Sequence, residues 1–194
     1  MWLDILFSLN SISIMIDFLI KPAGARDIDE IMALESFGFE PGIAERRDVF
    51  LGRIKFFLDG FLVMSEKNSD KIIGYISSEI WLRHSEIKEK MFVLNHGIEE
   101  THNINGTEIY VSSMTIHPQY RGRGLGLILF SECIRRLRRM NPLINSSVLI
   151  VNETWGSAKK IYDSLGYVEL FRIKDFFTPD NSCPQDAIVM RMDF

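Results

Sequence analysis

The stretch that decides the fold is "HPQYRGRGLGLILF", residues 117–130. Three glycines and two arginines fall within residues 121–126, and apolar residues follow at once. Glycine is costly in a helix interior and arginine is rarely buried, so these residues predict neither a core segment nor the middle of a helix. The β-rich run before them (107–116) predicts a strand, and the periodicity after them (125–140) predicts an amphipathic helix.

A strand, a glycine loop and a helix in this order are typical of an anion-binding site. Small residues let the backbone curl until successive N–H groups face one point, where the helix N-terminus adds positive potential. Arg121 and Arg123 add further positive charge. The expected ligand is therefore a phosphate or a pyrophosphate.

Two common phosphate-binding patterns do not match this loop. A Walker loop requires GxxxxGK[ST], and no Lys-Ser or Lys-Thr pair follows here. The dinucleotide-binding pattern GxGxxG requires a glycine three residues after Gly124, whereas the third glycine here is Gly126. An ordinary tight turn is the plain alternative, although three glycines at alternate positions are more than a turn requires.

The loop resembles the signature of a known family. Arg121-x-x-Gly124-x-Gly126 resembles the [QR]-x-x-G-x-[GA] signature of the GNAT-superfamily N-acetyltransferases. The segment "AKKIYDSLGYVE" (158–169) resembles that family's A-x-x-x-Y-x-x-x-G-[FY] segment. The tail "FRIKDFFTPDNSCPQDAIVMRM" (171–192) resembles the ending of the ribosomal-protein-alanine and Ard1-like N-terminal protein acetyltransferases. In total the resemblance covers about residues 16–194.

The resemblance implies an α+β fold in which helices flank a central, twisted and mostly antiparallel sheet. Hydrophobic periodicity predicts helices at 27–39, 44–58, 125–140 and 156–165. It predicts strands at 16–23, 61–66, 71–81, 107–116, 147–151, 167–173 and 187–194. We expect a single domain over residues 15–194, with the charged and polar residues 82–106 as an insertion.

The family resemblance also implies the cosubstrate, acetyl-CoA, with its pyrophosphate held by the amides of the loop. The residues assigned to the coenzyme lie on the strand, in the loop and on the two helices that follow: Met114, Thr115, Ile116, Arg121, Gly122, Arg123, Gly124, Leu125, Gly126 and Ala158. The Met114 amide would also polarise the thioester oxygen. Tyr162 would stand near the sulfur as proton donor; the alternative is a tyrosine whose ring is part of the core.

Aromatic residues are expected on the acceptor side of the site. The resemblance points to Phe39 in the loop "ESFGFEP", to Tyr110 on the central strand, and to the pair Phe176 and Phe177 in the tail. Because the arylalkylamine acetyltransferases share much of the pattern of the first two helices, a small amine remains an alternative acceptor.

The general base is the least determined part of the site. Related branches carry a histidine or glutamate where Tyr110 stands, or a glutamate where Ile150 stands. Glu108 lies two residues before Tyr110 and so on the same face of the strand, which makes it the catalytic candidate, acting through water. Glu79, at the end of the preceding strand, is a second candidate. A solvated surface position is an equally good interpretation of either glutamate.

Composition narrows the function classes. The net charge of −4 gives no indication of wholesale nucleic-acid binding. Four scattered histidines without an HExxH pattern predict no metal site. Cys133 and Cys183 have no CxxC spacing and are expected to be reduced thiols in a cytoplasmic protein.

The first residues have no assigned role. The apolar stretch of residues 1–20 lacks the positive start of a signal peptide, and Asp4 and Asp17 interrupt the apolar length that a membrane span requires. The role of residues 1–14 is left open. They are either an extra packing element or the result of an upstream translation start. We expect no membrane partner, and a monomer or a homodimer.

These observations predict an acetyl-CoA-dependent N-acetyltransferase that acts on a peptide or protein N-terminus. An α-amine has a pKa of roughly 8 and a lysine side chain roughly 10.4, so a chain without an obvious strong base is better matched to α-amines. A polyamine or arylalkylamine acetyltransferase is the alternative within the class. A non-catalytic acetyl-CoA sensor is the alternative of another class, since the family's usual bases are missing.

Overall fold

The computed structural model describes residues 17–194. The predicted extension 1–14, and the first residues of the strand predicted from residue 16, lie outside the described residues. The strands are β1 Phe18–Pro22, β2 Phe61–Glu66, β3 Ile72–Trp81, β4 Glu108–Ile116, β5 Ser146–Asn152, β6 Val168–Phe177 and β7 Gln185–Asp193. The α-helices are α1 Ile28–Gly38, α2 Arg47–Phe56, α3 Ile98–Thr101, α4 Leu125–Met140 and α5 Gly156–Leu165.

The seven strands form one sheet in the order β1-β2-β3-β4-β5-β7-β6. Among the described strands, β4 and β5 are the one parallel pair, and every other neighbouring pair is antiparallel. The predicted α+β fold with a mostly antiparallel sheet is therefore confirmed. No described helix has both the length and the apolar character needed to cross a membrane.

Helices cover both faces of this sheet. Alternate residues of β2 point to opposite sides: Val63 packs with Ile31 of α1 and Phe50 of α2, whereas Leu62 belongs to the core beneath α4. That second core also contains Tyr162 of α5, so α4 and α5 share a face. Because each strand of the centre is buried on both sides, β3 is enclosed along its whole length.

The sheet divides at the parallel pair. Pairing between β4 and β5 extends only from Glu108 to Val111. At this point β4 also carries a bulge, since Ser77 of β3 opposes Ser113 and Ser78 opposes Val111, which leaves Ser112 as the extra residue. A bulge bends its strand, so β4 turns away from β5 beyond Val111. The separation leaves a gap in the middle of the sheet.

The insertion 82–106 contributes to the core. It contains a 3-10 turn at Glu89–Phe92 and the short helix α3. Its side chains Phe92 and Ile98 are buried. His96 and Thr101 of the same segment hydrogen-bond to Glu79 on β3. The charged and polar insertion is therefore attached to the fold by both buried apolar side chains and hydrogen bonds, and its Leu94 lines the cleft described below.

Candidate active site

The gap between β4 and β5 opens into a cleft of about 700 Å³. Its walls come from the C-terminal half of α1, the separated part of β4, the glycine loop, the start of α4, and the first turns of α5. Such a volume is in the range that takes a cofactor-sized ligand. Within residues 17–194, no group of three or more His, Cys, Asp and Glu side chains is arranged to hold a metal ion.

The glycine loop forms one end of the cleft. Gly122 and Gly124 both have φ of +75°, and Gly124 is the N-cap of α4. No described atom lies within 4 Å of a Cβ built at either position, so the backbone conformation, rather than crowding, requires glycine there. The first amides of α4 have no acceptor within the helix, and Leu125, Gly126 and Leu127 line the cleft. This end therefore suits a phosphate or diphosphate group.

The two arginines of the loop differ in what their side chains contact. Arg121 Nε donates to the Ile116 carbonyl at 2.8 Å, and its Nη2 donates to the Phe37 carbonyl at 3.3 Å. Its guanidinium thus connects the loop to the end of β4 and to α1. The Arg123 guanidinium lies over the Tyr120 ring, 5.6 Å from its centroid, and Arg123 does not line the cleft. Arg121 also lines the cleft, so its guanidinium adds positive charge to that of the backbone amides at the glycine end, whereas Arg123 does not line it.

The separated part of β4 forms the long wall of the cleft. Met114, Thr115 and Ile116 all line it, as the sequence predicts for the coenzyme side. These residues pair with β3 on one edge and have no β5 partner on the other, so main-chain groups are left free along that edge. Ala158 lines the cleft from α5. The structure brings these predicted residues together.

Tyr162 reaches the same cleft from α5. Its ring packs against Phe130 and Tyr167, with ring centroids 5.6 and 5.8 Å away. Burial raises the pKa of Tyr162 to about 12. The hydroxyl is therefore protonated at neutral pH and can donate a hydrogen bond within the cleft.

Three aromatic side chains form a further wall of the cleft. The ring of Phe39 meets Trp155 edge-on at 5.1 Å, Trp155 lies 5.3 Å from Phe177, and all three line the cleft. Phe176 packs against Phe177 at 4.9 Å but does not line the cleft. Trp155, which the sequence analysis does not assign to the site, thus lines the cleft as well.

Two predicted site residues, Tyr110 and Glu108, lie away from the cleft. Tyr110 is stacked on Trp81 with ring centroids 4.0 Å apart, and burial raises its pKa well above the ordinary range. Glu108 accepts hydrogen bonds from Ser146 and Arg191 at 2.9 Å each. The structure places Glu108 at the paired end of β4 in a buried ion pair, so the geometry gives it a structural role and does not support it as a base.

Sequence reasoning missed a glutamate on α1. Glu35 is 1% exposed and lines the cleft. Its Oε1 accepts a hydrogen bond from the Glu45 amide at 2.7 Å, and its Oε2 accepts one from the Tyr75 hydroxyl. Burial raises the pKa of Glu35 to about 7, against the opposing effect of the Tyr75 hydrogen bond. Helical periodicity gives a signal for its burial, because Glu35 follows Ile28 and Ile31 on one face.

A second missed glutamate, Glu45, lies beside it in the segment before α2. Glu45 is 6% exposed, lines the cleft, and accepts a hydrogen bond from Arg53 Nη1 at 2.9 Å through Oε1. Its other oxygen, Oε2, is buried without a hydrogen-bond partner among the described residues. The helix predicted at 44–58 begins only at Arg47, so Glu45 lies in the irregular segment before it. No sequence pattern marks Glu45 as a residue of the cleft.

Arg53 connects this pair to Glu79, the second candidate base from the sequence. Arg53 Nε lies 3.7 Å from Glu79 Oε1, and His96 Nε2 lies 2.6 Å from the same oxygen. Burial opposes the charge on Glu79, but the hydrogen bond and charge of His96 leave the Glu79 pKa below its usual value. Glu79 does not line the cleft, and its connection to the site is through Arg53, which binds Glu45.

Comparison with known proteins gives one family. A profile described as "Acetyltransferase (GNAT) domain" matches residues 58–169, more than half of the chain. No curated protein matches the sequence.

Three solved structures have a similar fold. The ribosomal-protein-S18-alanine N-acetyltransferase of Escherichia coli is 16% identical, with a TM-score of 0.66 over 91% of this chain and 93% of that one. The NatC complex bound to Gag peptide and CoA is 15% identical, with a TM-score of 0.70 over 92% and 99%. Ard1 from Thermoplasma volcanium is 15% identical, with a TM-score of 0.70 over 91% and 97%. At these identities the likeness concerns the fold alone.

Proposed function

The chain belongs to the GNAT family of acetyltransferases, and from that membership we propose that it transfers the acetyl group of acetyl-CoA to the α-amine of a peptide or protein N-terminus. The observation that carries the proposal is the continuous cleft from the glycine turn, along the free edge of β4, to the aromatic wall of Phe39, Trp155 and Phe177. One end suits a diphosphate and the other suits an acceptor side chain.

The residues of the cleft fit the coenzyme. Backbone amides of Gly122 to Leu127 would hold the diphosphate, because the left-handed glycines turn the chain so that the start of α4 faces the cleft. The free edge of β4 from Ser112 to Ile116 would bind the amide groups of the pantetheine arm in the manner of an added strand. When bound, acetyl-CoA supplies an activated acetyl thioester.

Two groups of the chain would stabilise charge during transfer. The Met114 amide would donate a hydrogen bond to the thioester oxygen as negative charge develops there, an oxyanion-hole role. The Tyr162 hydroxyl, which is protonated at neutral pH, would donate to the departing sulfur. The walls of the cleft hold both substrates in one place, which supplies much of the rate.

The choice of an N-terminal acceptor has two supports. The aromatic wall offers an apolar surface for the first side chain of a peptide. The Escherichia coli structure is named as an alanine N-acetyltransferase of a ribosomal protein, and NatC was solved with a peptide and CoA. A small amine is the second candidate acceptor, because its ammonium group would also be compatible with the two buried carboxyl groups of Glu35 and Glu45 on the cleft.

The test is thiol release from acetyl-CoA with a panel of N-terminal peptides and a panel of small amines. We expect turnover with peptides that carry a free α-amine and none with the same peptides acetylated at the N-terminus. Turnover with small amines alone would contradict the acceptor assignment. Tight coenzyme binding without turnover on either panel would contradict catalysis and indicate a sensor domain.

A further inference from the structure

One carboxylate oxygen of Glu45 has no hydrogen-bond donor among the described residues. Its Oε1 is bound by Arg53, but its Oε2 is buried and unpartnered among the described residues, although the residue lines the cleft. A buried carboxylate oxygen without a donor is unfavourable, so native proteins rarely leave one unless a water or a ligand satisfies it. Glu35 lies beside Glu45, because the Glu45 amide donates a hydrogen bond of 2.7 Å to Glu35 Oε1.

The charges around the pair are unbalanced. Three buried glutamates, Glu35, Glu45 and Glu79, stand against one buried arginine, Arg53. His96 adds positive charge only when protonated, and it faces Glu79 rather than the cleft. A cation that entered beside Glu45 would offset this excess of negative charge. The chemistry of the site therefore favours an ammonium group.

Glu35 is connected to the wall where the thioester would lie. The Tyr75 hydroxyl bonds to Glu35 and lies 2.8 Å from Ser113 Oγ, and Ser113 is next to Met114. The helix itself comes close to β4, since a Cβ at Gly38 would lie 2.6 Å from Thr115 Oγ1. Glu35 is thus held by rigid elements on the same cleft as the coenzyme wall.

We propose that Glu35 and Glu45 form the subsite for the acceptor amine: Glu45 Oε2 binds the ammonium group, and Glu35 removes its proton. The inference rests on the proposed function and names its acceptor subsite. In the step, one N–H bond breaks and the proton passes to a Glu35 oxygen. The freed nitrogen lone pair forms the bond to the acetyl carbon, and the C–S bond breaks with its electron pair remaining on sulfur. Tyr162 gives its proton to that sulfur, and the second proton that the nitrogen loses returns to Tyr162 through solvent, so one proton in all remains on Glu35.

The pKa values fit an α-amine better than a lysine. Burial raises the pKa of Glu35 to about 7, while the groups that face it are Tyr75 from β3, Glu45 from the segment before α2, and Arg53 from α2. Proton transfer from an α-ammonium of pKa roughly 8 is unfavourable by only about tenfold. From a lysine of pKa roughly 10.4 it is unfavourable by more than about a thousandfold. The subsite would therefore select N-termini.

Binding tests the subsite without relying on turnover. The protein saturated with CoA is titrated at pH 6 with one peptide in two forms, with a free and with an acetylated N-terminus. We expect the wild type to bind the free form at least tenfold more tightly, and Glu45→Gln to lose that preference. Glu89→Gln, which makes the same charge change at an exposed position of the insertion, is the control and should keep the preference. Thermal unfolding of each variant checks that it is folded.

Kinetics test Glu35. We expect Glu35→Gln to lower kcat at least a hundredfold at pH 7 with little change in the KM of the peptide. The deficit should shrink near pH 9.5, where the amine arrives neutral, which a merely structural role would not produce. An equal affinity of the wild type for both peptide forms, or a preference that survives in Glu45→Gln, would overturn the amine subsite. A wild-type rate in Glu35→Gln would overturn its role as base. If the wild type acetylates no amine yet prefers the free peptide, the proposed function fails and the subsite stands.

Discussion

The backbone amide of Glu45 donates a hydrogen bond of 2.7 Å to the Glu35 carboxyl group. This contact joins the segment before α2 to the buried face of α1, while Tyr75 binds the other Glu35 oxygen from β3. Because the site is desolvated, burial outweighs these hydrogen bonds and raises the pKa of Glu35 to about 7. Its ionisation should therefore be visible in both rate and stability near neutral pH.

The pH dependence of the rate is the first consequence. We expect kcat/KM for a peptide acceptor to rise through about pH 7, because Glu35 must be ionised to accept a proton. This limb should be absent in Glu35→Gln. The hydrogen bond of His96 to Glu79 outweighs burial and raises the pKa of His96, so this histidine is the competing assignment. A limb that persists in Glu35→Gln and disappears in His96→Gln would assign the titration to the histidine.

The stability of the fold should decrease as the pH rises, whereas kcat/KM should increase. A raised carboxyl pKa means that the folded protein binds the proton more tightly, so the contribution of Glu35 to stability is fully present below about pH 4.5 and is lost as the pH rises through about 7. At about 1.4 kcal/mol per pKa unit, the loss is up to about 3 kcal/mol. The free energy of unfolding in urea should be measured for both proteins at pH 4 and at pH 8. The value for Glu35→Gln minus that for the wild type should be larger at pH 8 than at pH 4, by up to that amount. A difference that does not change with pH would contradict the raised pKa.

The glycine turn gives a prediction on coenzyme affinity. Gly124 has φ of +75°, so Gly124→Val forces a β-branched residue into the left-handed region, at a cost of about 1–2 kcal/mol or more. We expect the turn to change shape and the affinity for CoA, measured by calorimetry, to fall at least tenfold. Gly52→Ala is the matched control, because Gly52 lies inside α2 with no described atom within 4 Å of the added Cβ. Equal losses in both variants would point to a general effect on folding.

Two tyrosines that lie side by side separate catalysis from stability. Tyr162 lines the cleft, and Tyr162→Phe should lower kcat about tenfold or more with coenzyme affinity and stability nearly unchanged. Tyr167 donates to Ser147 at 2.7 Å outside the cleft. Tyr167→Phe should leave kcat unchanged and lower the free energy of unfolding by about 1 kcal/mol. Full activity in Tyr162→Phe would contradict its assignment as proton donor.

Much of the fold follows from local patterns. The helix predicted at 125–140 is the observed α4, because its apolar period is regular and Gly124 marks its start. The position of the glycine loop directly after β4 also indicated that the last residues of this strand, Met114 to Ile116, would line the cleft. In contrast, the last two strands pair over a longer stretch than predicted, with β6 extending to Phe177, because the pairing is set by β7 and not by local composition.

The parts of the site that depend on distant partners could not be predicted. Alternation correctly places Glu108 and Tyr110 on one face of β4, but Arg191, which pairs with Glu108, comes from β7 at the end of the chain. Likewise, nothing in the sequence shows that Arg121 would hydrogen-bond to carbonyl groups at the ends of α1 and β4. Buried acids such as Glu35 look like ordinary helix residues until the fold shows what they face.

The most direct measurement of the central claim is an amide NMR titration with CoA and, separately, with pantetheine, which lacks the diphosphate. We expect CoA to shift the backbone amides of residues 122–127 together with those of Met114 to Ile116. Pantetheine should shift only the β4 amides. If CoA leaves the amides of residues 122–127 unchanged while it perturbs another surface, the diphosphate does not bind at the glycine turn and the proposed coenzyme site is contradicted.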